Sequence, residues 1–341
     1  MSLTDHGLRL STFGSFSAGG EITPRRGTQA SCNHVLRNQA YVEYFRPQEL
    51  ARGACPVVLT HNYFSGAAWL GNAEGREGWA QFFLRRGFPV FIVDPPGTGR
   101  AGFNPDDIER DATVIDGALP VDEGFWPGQD SSAWVAWNMG PEWGVAGDGV
   151  VRGNQMPTDD AAQRRLLATL TPNKPMPDIV VDAAFVHVLE TVTQMAGPPI
   201  FVGWSMGGGL GQRLVCQRPD LIRALVLLDG YSGEKRFPEA GRWIDNGAIS
   251  AVEQVAEVLV DRGIPLLNLN SATGHFSNTA HAGKLGETLV ENVLQRRGVA
   301  RTIWLPEVGI IGNGHMMFFE KNSDDIAAVL EQWIADTVLS D

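Results

Sequence analysis

The sequence predicts an α/β fold, a mostly parallel sheet covered by helices, and three features point to it. Short β-branched and apolar runs recur along the chain. Stretches with helical spacing of their apolar residues lie between them, and glycines and prolines punctuate the joins. The chain has 341 residues, 43% hydrophobic and 19% charged, a globular balance with enough core to need neither disulfide nor metal.

The elements follow in order. Runs at 31–36 and 41–45 read as an antiparallel start. Further strands are expected at 57–61, 90–94, 200–203, 224–228, 266–269 and 302–305. A helix over 79–86 should stop at Gly87, since glycine readily takes the left-handed conformation of a helix end. The stretch 182–195 is a long helix, apolar on most faces and therefore expected to be well buried. Another over 251–262 stops at Gly263, with Pro265 beyond. The last helix is expected to take Ser323 as its N-cap, with Asp324 and Asp325 in the first turn, where the helix dipole favours anions. Its apolar residues Ile326, Val329, Leu330, Trp333 and Ile334 fall on one face.

One region breaks the alternation. From 103 to 178 the chain is rich in Gly, Pro, Asn and Trp, and so long an excursion inside a compact domain reads as a cap or lid. The expected division is a core at 1–102 and 179–341 and an inserted cap at 103–178. The insertion carries Trp126, Trp134, Trp137 and Trp143. These either glue the excursion to the body or line an apolar substrate pocket.

Charge and motifs exclude several classes. A net charge of −12 argues against nucleic acid and against an anionic membrane surface, both of which attract Lys and Arg. No apolar run is expected to span a membrane, and residues 1–17 carry no basic stretch followed by an apolar core. The chain as it stands reads as cytoplasmic, or as exported if a signal was removed. The three cysteines, Cys32, Cys55 and Cys216, have no metal or redox spacing, and a Cys32–Cys55 bridge stays open for an exported protein. Asp94-Pro95-Pro96-Gly97-Thr98-Gly99-Arg100 lacks the Lys-Ser/Thr pair and glycine spacing of a phosphate loop and reads as a tight turn. No cofactor or metal is expected.

Gly203-Trp204-Ser205-Met206-Gly207 fits G-x-S-x-G, between an expected strand and an expected helix. A sharp strand-to-helix turn strains the serine backbone and demands small neighbours. It also lifts the hydroxyl to a helix N-terminus, whose partial charge favours a developing oxyanion. Ser205 is the expected nucleophile. A serine hydroxyl needs a base. Of seven histidines, His315 follows the last strand and precedes the final helix, within the loop Gly312-Asn313-Gly314-His315-Met316-Met317, expected to be flexible enough to aim the ring. The oxyanion hole needs two backbone N–H donors. Met206 should supply one; the loop Thr60-His61-Asn62-Tyr63-Phe64 should supply the other, from Tyr63, with Asn62 or Phe64 as alternatives. His61 reads as a loop-shaping hydrogen-bonder. Phe64, Trp204, Trp126, Trp134 and Trp137 are expected around the substrate.

The acid is the least obvious member. The seventh strand leads into Asn270-Ser271-Ala272-Thr273-Gly274, which holds no carboxylate. The sixth ends in Asp229-Gly230-Tyr231, one helix and one strand beyond the nucleophile and so at the same sheet edge. Asp229 is the expected acid, with Glu234 as runner-up.

Taken together these residues resemble a small group of bacterial α/β-hydrolase esterases. The matching pieces are Thr60-His61 with Ser65-Gly66, Gly78-Trp79, Phe83 to Gly87, Val93-Asp94 to Arg100, Gly203 to Gly207, and Gly312 to Met317 followed by Asn322-Ser323. The resemblance runs from about residue 30 to the end. It departs at Tyr63-Phe64, where relatives carry small cysteines and this chain is one residue shorter. The resemblance implies an α/β-hydrolase fold, carboxylic ester hydrolysis, a carboxylate after the sixth strand and a cap over the site, in a family where homodimers are frequent.

The expected activity is therefore hydrolysis of a small to medium apolar or aromatic ester through a Ser-His-Asp triad and an acyl-enzyme. The same triad serves amidases, lactonases and acyltransferases, and the fold also hosts ligand-binding and lyase relatives.

Overall fold

The computed structural model describes residues 7–24, 34–61, 64–104, 134, 137–140, 153–174, 176–230, 252–273 and 279–340, with backbone alone for 279–285. Among the described residues eight strands form one sheet: β1 (Leu10–Pro24), β2 (His34–Pro47), β3 (Val57–Thr60), β4 (Val90–Asp94), β5 (Ile200–Trp204), β6 (Ala224–Leu228), β7 (Leu266–Asn270) and β8 (Ala300–Trp304). Their order is β1-β2-β4-β3-β5-β6-β7-β8. The β1–β2 hairpin and the β2–β4 pair are antiparallel; all later pairs are parallel.

The central strands are buried on both faces, as a parallel sheet requires, so alternate residues feed two cores. Leu59, Ile92, Val202, Val226 and Leu267 face one core, which holds α1 (Trp79–Arg85) and α7 (Ser323–Trp333). It also takes in α2 (Asp160–Thr169). Val58, Phe91, Phe201, Leu225 and Leu266 face the other, packed by α3 (Asp178–Ala196), α4 (Met206–Gln217), α5 (Val252–Asp261) and α6 (Thr279–Gln295).

Three expectations are corrected. The antiparallel start is not two short runs: β2 is one strand, and β1 precedes it unannounced. β1 carries Gly14, Gly19 and Gly20 and exposes Phe13 and Ile22, a weak strand signal; its pairing along nearly the whole of β2 decides the conformation. Ser323 is not the N-cap. That position is Asn322, because the Ser323 N–H already closes a turn on the Glu320 carbonyl at 3.1 Å. Finally, α3 is long and apolar enough, by length and composition alone, to cross a membrane, which the sequence reading did not anticipate. Nor is it buried all round. Phe185, Val188, Leu189 and Val192 pack on the sheet, while Ile179 and Met195 are exposed. Asp182 on its buried side holds Arg213 of α4 through bonds of 2.7 to 3.0 Å.

Candidate active site

Three adjacent strand ends build the site. At the end of β5 the chain turns into α4 through Ser205, whose backbone sits at φ 55° and ψ −123°. That strained geometry persists only where the surroundings enforce it. A side chain at 203 would run into the Gly207 carbonyl, so glycine is obligatory there. The Ser205 N–H donates to the Leu228 carbonyl at 3.0 Å, hooking the turn onto the end of β6. The next strand repeats the device: Asp229, at φ 43°, donates its N–H to the Leu269 carbonyl of β7 at 2.9 Å. Both side chains are thus delivered to one sheet edge, and both are buried.

Asp229 is tightly held. Its Oδ1 accepts the Ser271 N–H at 2.8 Å and its Oδ2 accepts the Ser271 hydroxyl at 2.6 Å. Nδ1 of His315 lies 3.2 Å from the same Oδ2. With a carboxylate as partner, Nδ1 carries the proton and Nε2 becomes the basic nitrogen. The structure thus brings Asp229 and His315 together; Glu234 lies outside the described residues.

The histidine loop, expected to be flexible, is instead buried and tied at successive residues. The Gly312 carbonyl accepts the Asn154 N–H at 2.7 Å, and the His315 N–H donates to the Trp137 carbonyl at 2.8 Å. The Asn313 carbonyl accepts Thr273 N–H at 3.2 Å and its hydroxyl at 3.1 Å. The Trp204 indole N–H donates to the His315 carbonyl at 2.7 Å, with the two rings 4.5 Å apart. Glu320 accepts the Gly314 N–H at 2.8 Å and the Asn313 amide N–H at 2.6 Å. The glycines therefore serve close approach rather than mobility: a Cβ on Gly314 would stand 2.7 Å from the Trp137 carbonyl. Burial pushes the Glu320 carboxyl up to about 8, against the pull of its two donors and with the Asp229 charge adding to the rise.

Met206 opens α4, so its N–H lies among the unpaired donors of a helix N-terminus. Tyr63 and Asn62 lie outside the described residues, as do Trp126, Trp143 and Cys32. Phe64 is fully buried, stacked on His61 at 4.2 Å and tilted against Trp204 at 5.0 Å. Trp137 meets Trp204 edge-on at 5.3 Å, and Trp134 is buried with its indole N–H on the Gly140 carbonyl at 2.9 Å.

Beneath the loop after β3, Asp94 gathers four donors. Its Oδ1 pairs with His61 Nε2 at 2.7 Å and the Gly66 N–H at 2.6 Å; Oδ2 takes the N–H and Nε of Arg100 at 2.8 and 3.0 Å. Burial works to raise this carboxyl, but the His61 hydrogen bond and the Arg100 charge hold it below the ordinary carboxylate range. Sequence reasoning missed Ser271 and Glu320. The first had a signal, a hydroxyl directly after β7 where the acid was sought; Glu320 had none, since an acidic residue before a helix reads as solvated.

A family described as the alpha/beta hydrolase fold matches residues 65–254. The chain is 28% identical over 331 residues to a fungal protein named probable secreted lipase phiG, covering 86% of this chain and 85% of that one. A solved novel bacterial esterase superposes with a TM-score of 0.76 at 22% identity, over 99% of each chain. A thermostable carboxyl esterase from Bacillus coagulans superposes with a TM-score of 0.51 at 10% identity, over 96% of this chain and 99% of that one. The family match spans more than half of the chain and agrees with the strand order and the strained serine turn, and the protein belongs to the α/β-hydrolase fold family.

Proposed function

We propose that the protein is a serine carboxylic-ester hydrolase with Ser205 as nucleophile, His315 as general base and Asp229 as the acid that orients it. The observation that carries this reading is the 3.2 Å approach of Asp229 Oδ2 to His315 Nδ1, at the sheet edge where Ser205 sits in its strained turn. The likeness to a chain named a lipase supports ester chemistry.

In this reading His315 Nε2 takes the Ser205 proton as Oγ attacks the ester carbonyl. The imidazolium is stabilised by Asp229, and the oxyanion by the N–H groups of Met206 and Tyr63. The C–O bond to the alcohol breaks as His315 returns the proton to the leaving oxygen. Water, deprotonated by the same nitrogen, then attacks the acyl-enzyme and frees the acid. The aromatic residues Phe64, Trp204 and Trp137 around the histidine loop, with Trp134 in the same insertion as Trp137, favour a small to medium apolar or aromatic ester. The insertion at 103–178 is read as the cap over this site. The chain is further assigned to the bacterial esterases that place their acid after the sixth strand.

An organophosphonate should add one label, on Ser205, and a panel of aryl, alkyl and lactone esters should be hydrolysed by wild type and not by Ser205→Ala. Labelling of another serine, or full activity in the alanine variant, refutes the assignment.

A further inference from the structure

We propose that Glu320 is a positioning residue of the histidine loop and that its proton switches that loop between two arrangements. The proposal rests on reading His315 as the base. The Glu320 side chain is fully buried, yet both its oxygens are used: Oε1 by the Gly314 N–H and Oε2 by the Asn313 amide N–H. These donors belong to the two residues that immediately precede His315. Asn313 and Asn322 also exchange amide hydrogen bonds of 2.7 and 3.1 Å, so the brace ties the loop to the start of α7.

The arrangement is chemically selective. A carboxylate accepts both donors; a carboxylic acid must donate its own O–H. As placed, the groups bonded to Oε1 and Oε2 are a backbone and an amide nitrogen, neither of which can accept it. Turning the Asn313 amide to offer its oxygen breaks the exchange with Asn322 unless the Asn322 amide turns over with it. Gain of a proton therefore rebuilds the contacts one residue away from the imidazole. Among the described residues, Asp229 at the end of β6 opposes ionisation and Lys321, beside Glu320 in the chain, favours it, while His315 stands on the braced loop itself. Burial dominates and holds the carboxyl protonated up to about 8. Above that, an ionised Glu320 clamps the loop and places a second negative charge behind the base. That charge favours the imidazolium formed when Ser205 loses its proton.

The direct test is the ring resonance of His315 in protein labelled in histidine, identified by its loss in His315→Asn and followed from about pH 5 to 10. Wild type should show a second inflection near pH 8, and Glu320→Gln should lack it. Asn313→Ala removes one donor to the charged form and should move the inflection upward. In an ester assay, wild-type kcat should rise several-fold across the same interval with KM unchanged, and Glu320→Gln should not respond. A wild type without the inflection, a glutamine variant that keeps it, or an Asn313→Ala variant in which it stays put overturns the proposal. The resonance needs no turnover, so failure to hydrolyse esters counts against the esterase reading alone.

Discussion

Replacing Glu320 by glutamine also has a consequence for stability that follows from the same carboxyl. In the unfolded chain it titrates at 4.5; in the folded protein burial carries it to about 8. Below 4.5 both states hold the proton, and above about 8 both have lost it. Between the two the folded state binds more protons than the unfolded one, so stability falls as pH rises. At about 1.4 kcal/mol per pH unit, the total fall is about 5 kcal/mol. Glutamine does not titrate, so the difference in unfolding free energy between wild type and Glu320→Gln isolates this group from every other. Chemical unfolding of both proteins side by side from about pH 4 to 9 should show that difference turning against wild type by about 5 kcal/mol, most of it between about pH 5 and 8. A difference that stays flat across this range would show that Glu320 ionises normally in the fold and refute the reasoning.

Other outcomes are expected from the same geometry. Asp229→Asn should lower kcat by about 10⁴, the precedent of serine proteases, while Glu234→Gln changes little; single-turnover and steady-state kinetics on one aryl ester check both. Ser271→Ala removes a 2.6 Å bond to the Asp229 carboxylate, and at about 1.5 to 3 kcal/mol for a bond to a charged group kcat should drop by about 10- to 100-fold. An unchanged kcat would limit Ser271 to packing. Asp182→Ala takes the two-pronged partner from the buried Arg213 guanidinium and leaves it the Asp178 carboxylate at 3.3 Å, so the loss in chemical unfolding should fall below the roughly 3 to 5 kcal/mol of an uncompensated buried charge, with the ester-hydrolysis pH profile unaltered.

Legibility in the sequence followed the range of the interactions involved. The strands buried on both faces were visible as apolar runs, because a parallel sheet covered by helices leaves such runs no polar side. The serine turn was visible for a similar reason: the crowding of Gly203 against Gly207 acts within five residues, so it writes itself into a short motif. β1 was not visible. Three glycines and an exposed face dilute its pattern, and its structure comes from β2, across the hairpin.

What the sequence alone determined, then, was the α/β class, the serine at its strand-to-helix turn and the histidine after the last strand. These rest on local backbone geometry and chain order. Only the tertiary structure decided what surrounds them. Chain order had already put Asp229 forward as the acid, with Glu234 behind it; its contact with His315 joins positions 86 residues apart, and the unforeseen Ser271 reaches Asp229 across 42. Glu320 lies five positions beyond His315 and looks like a surface carboxylate in the sequence. It is buried because the loop folds back over it, and no local pattern encodes the loss of water that gives it a different charge.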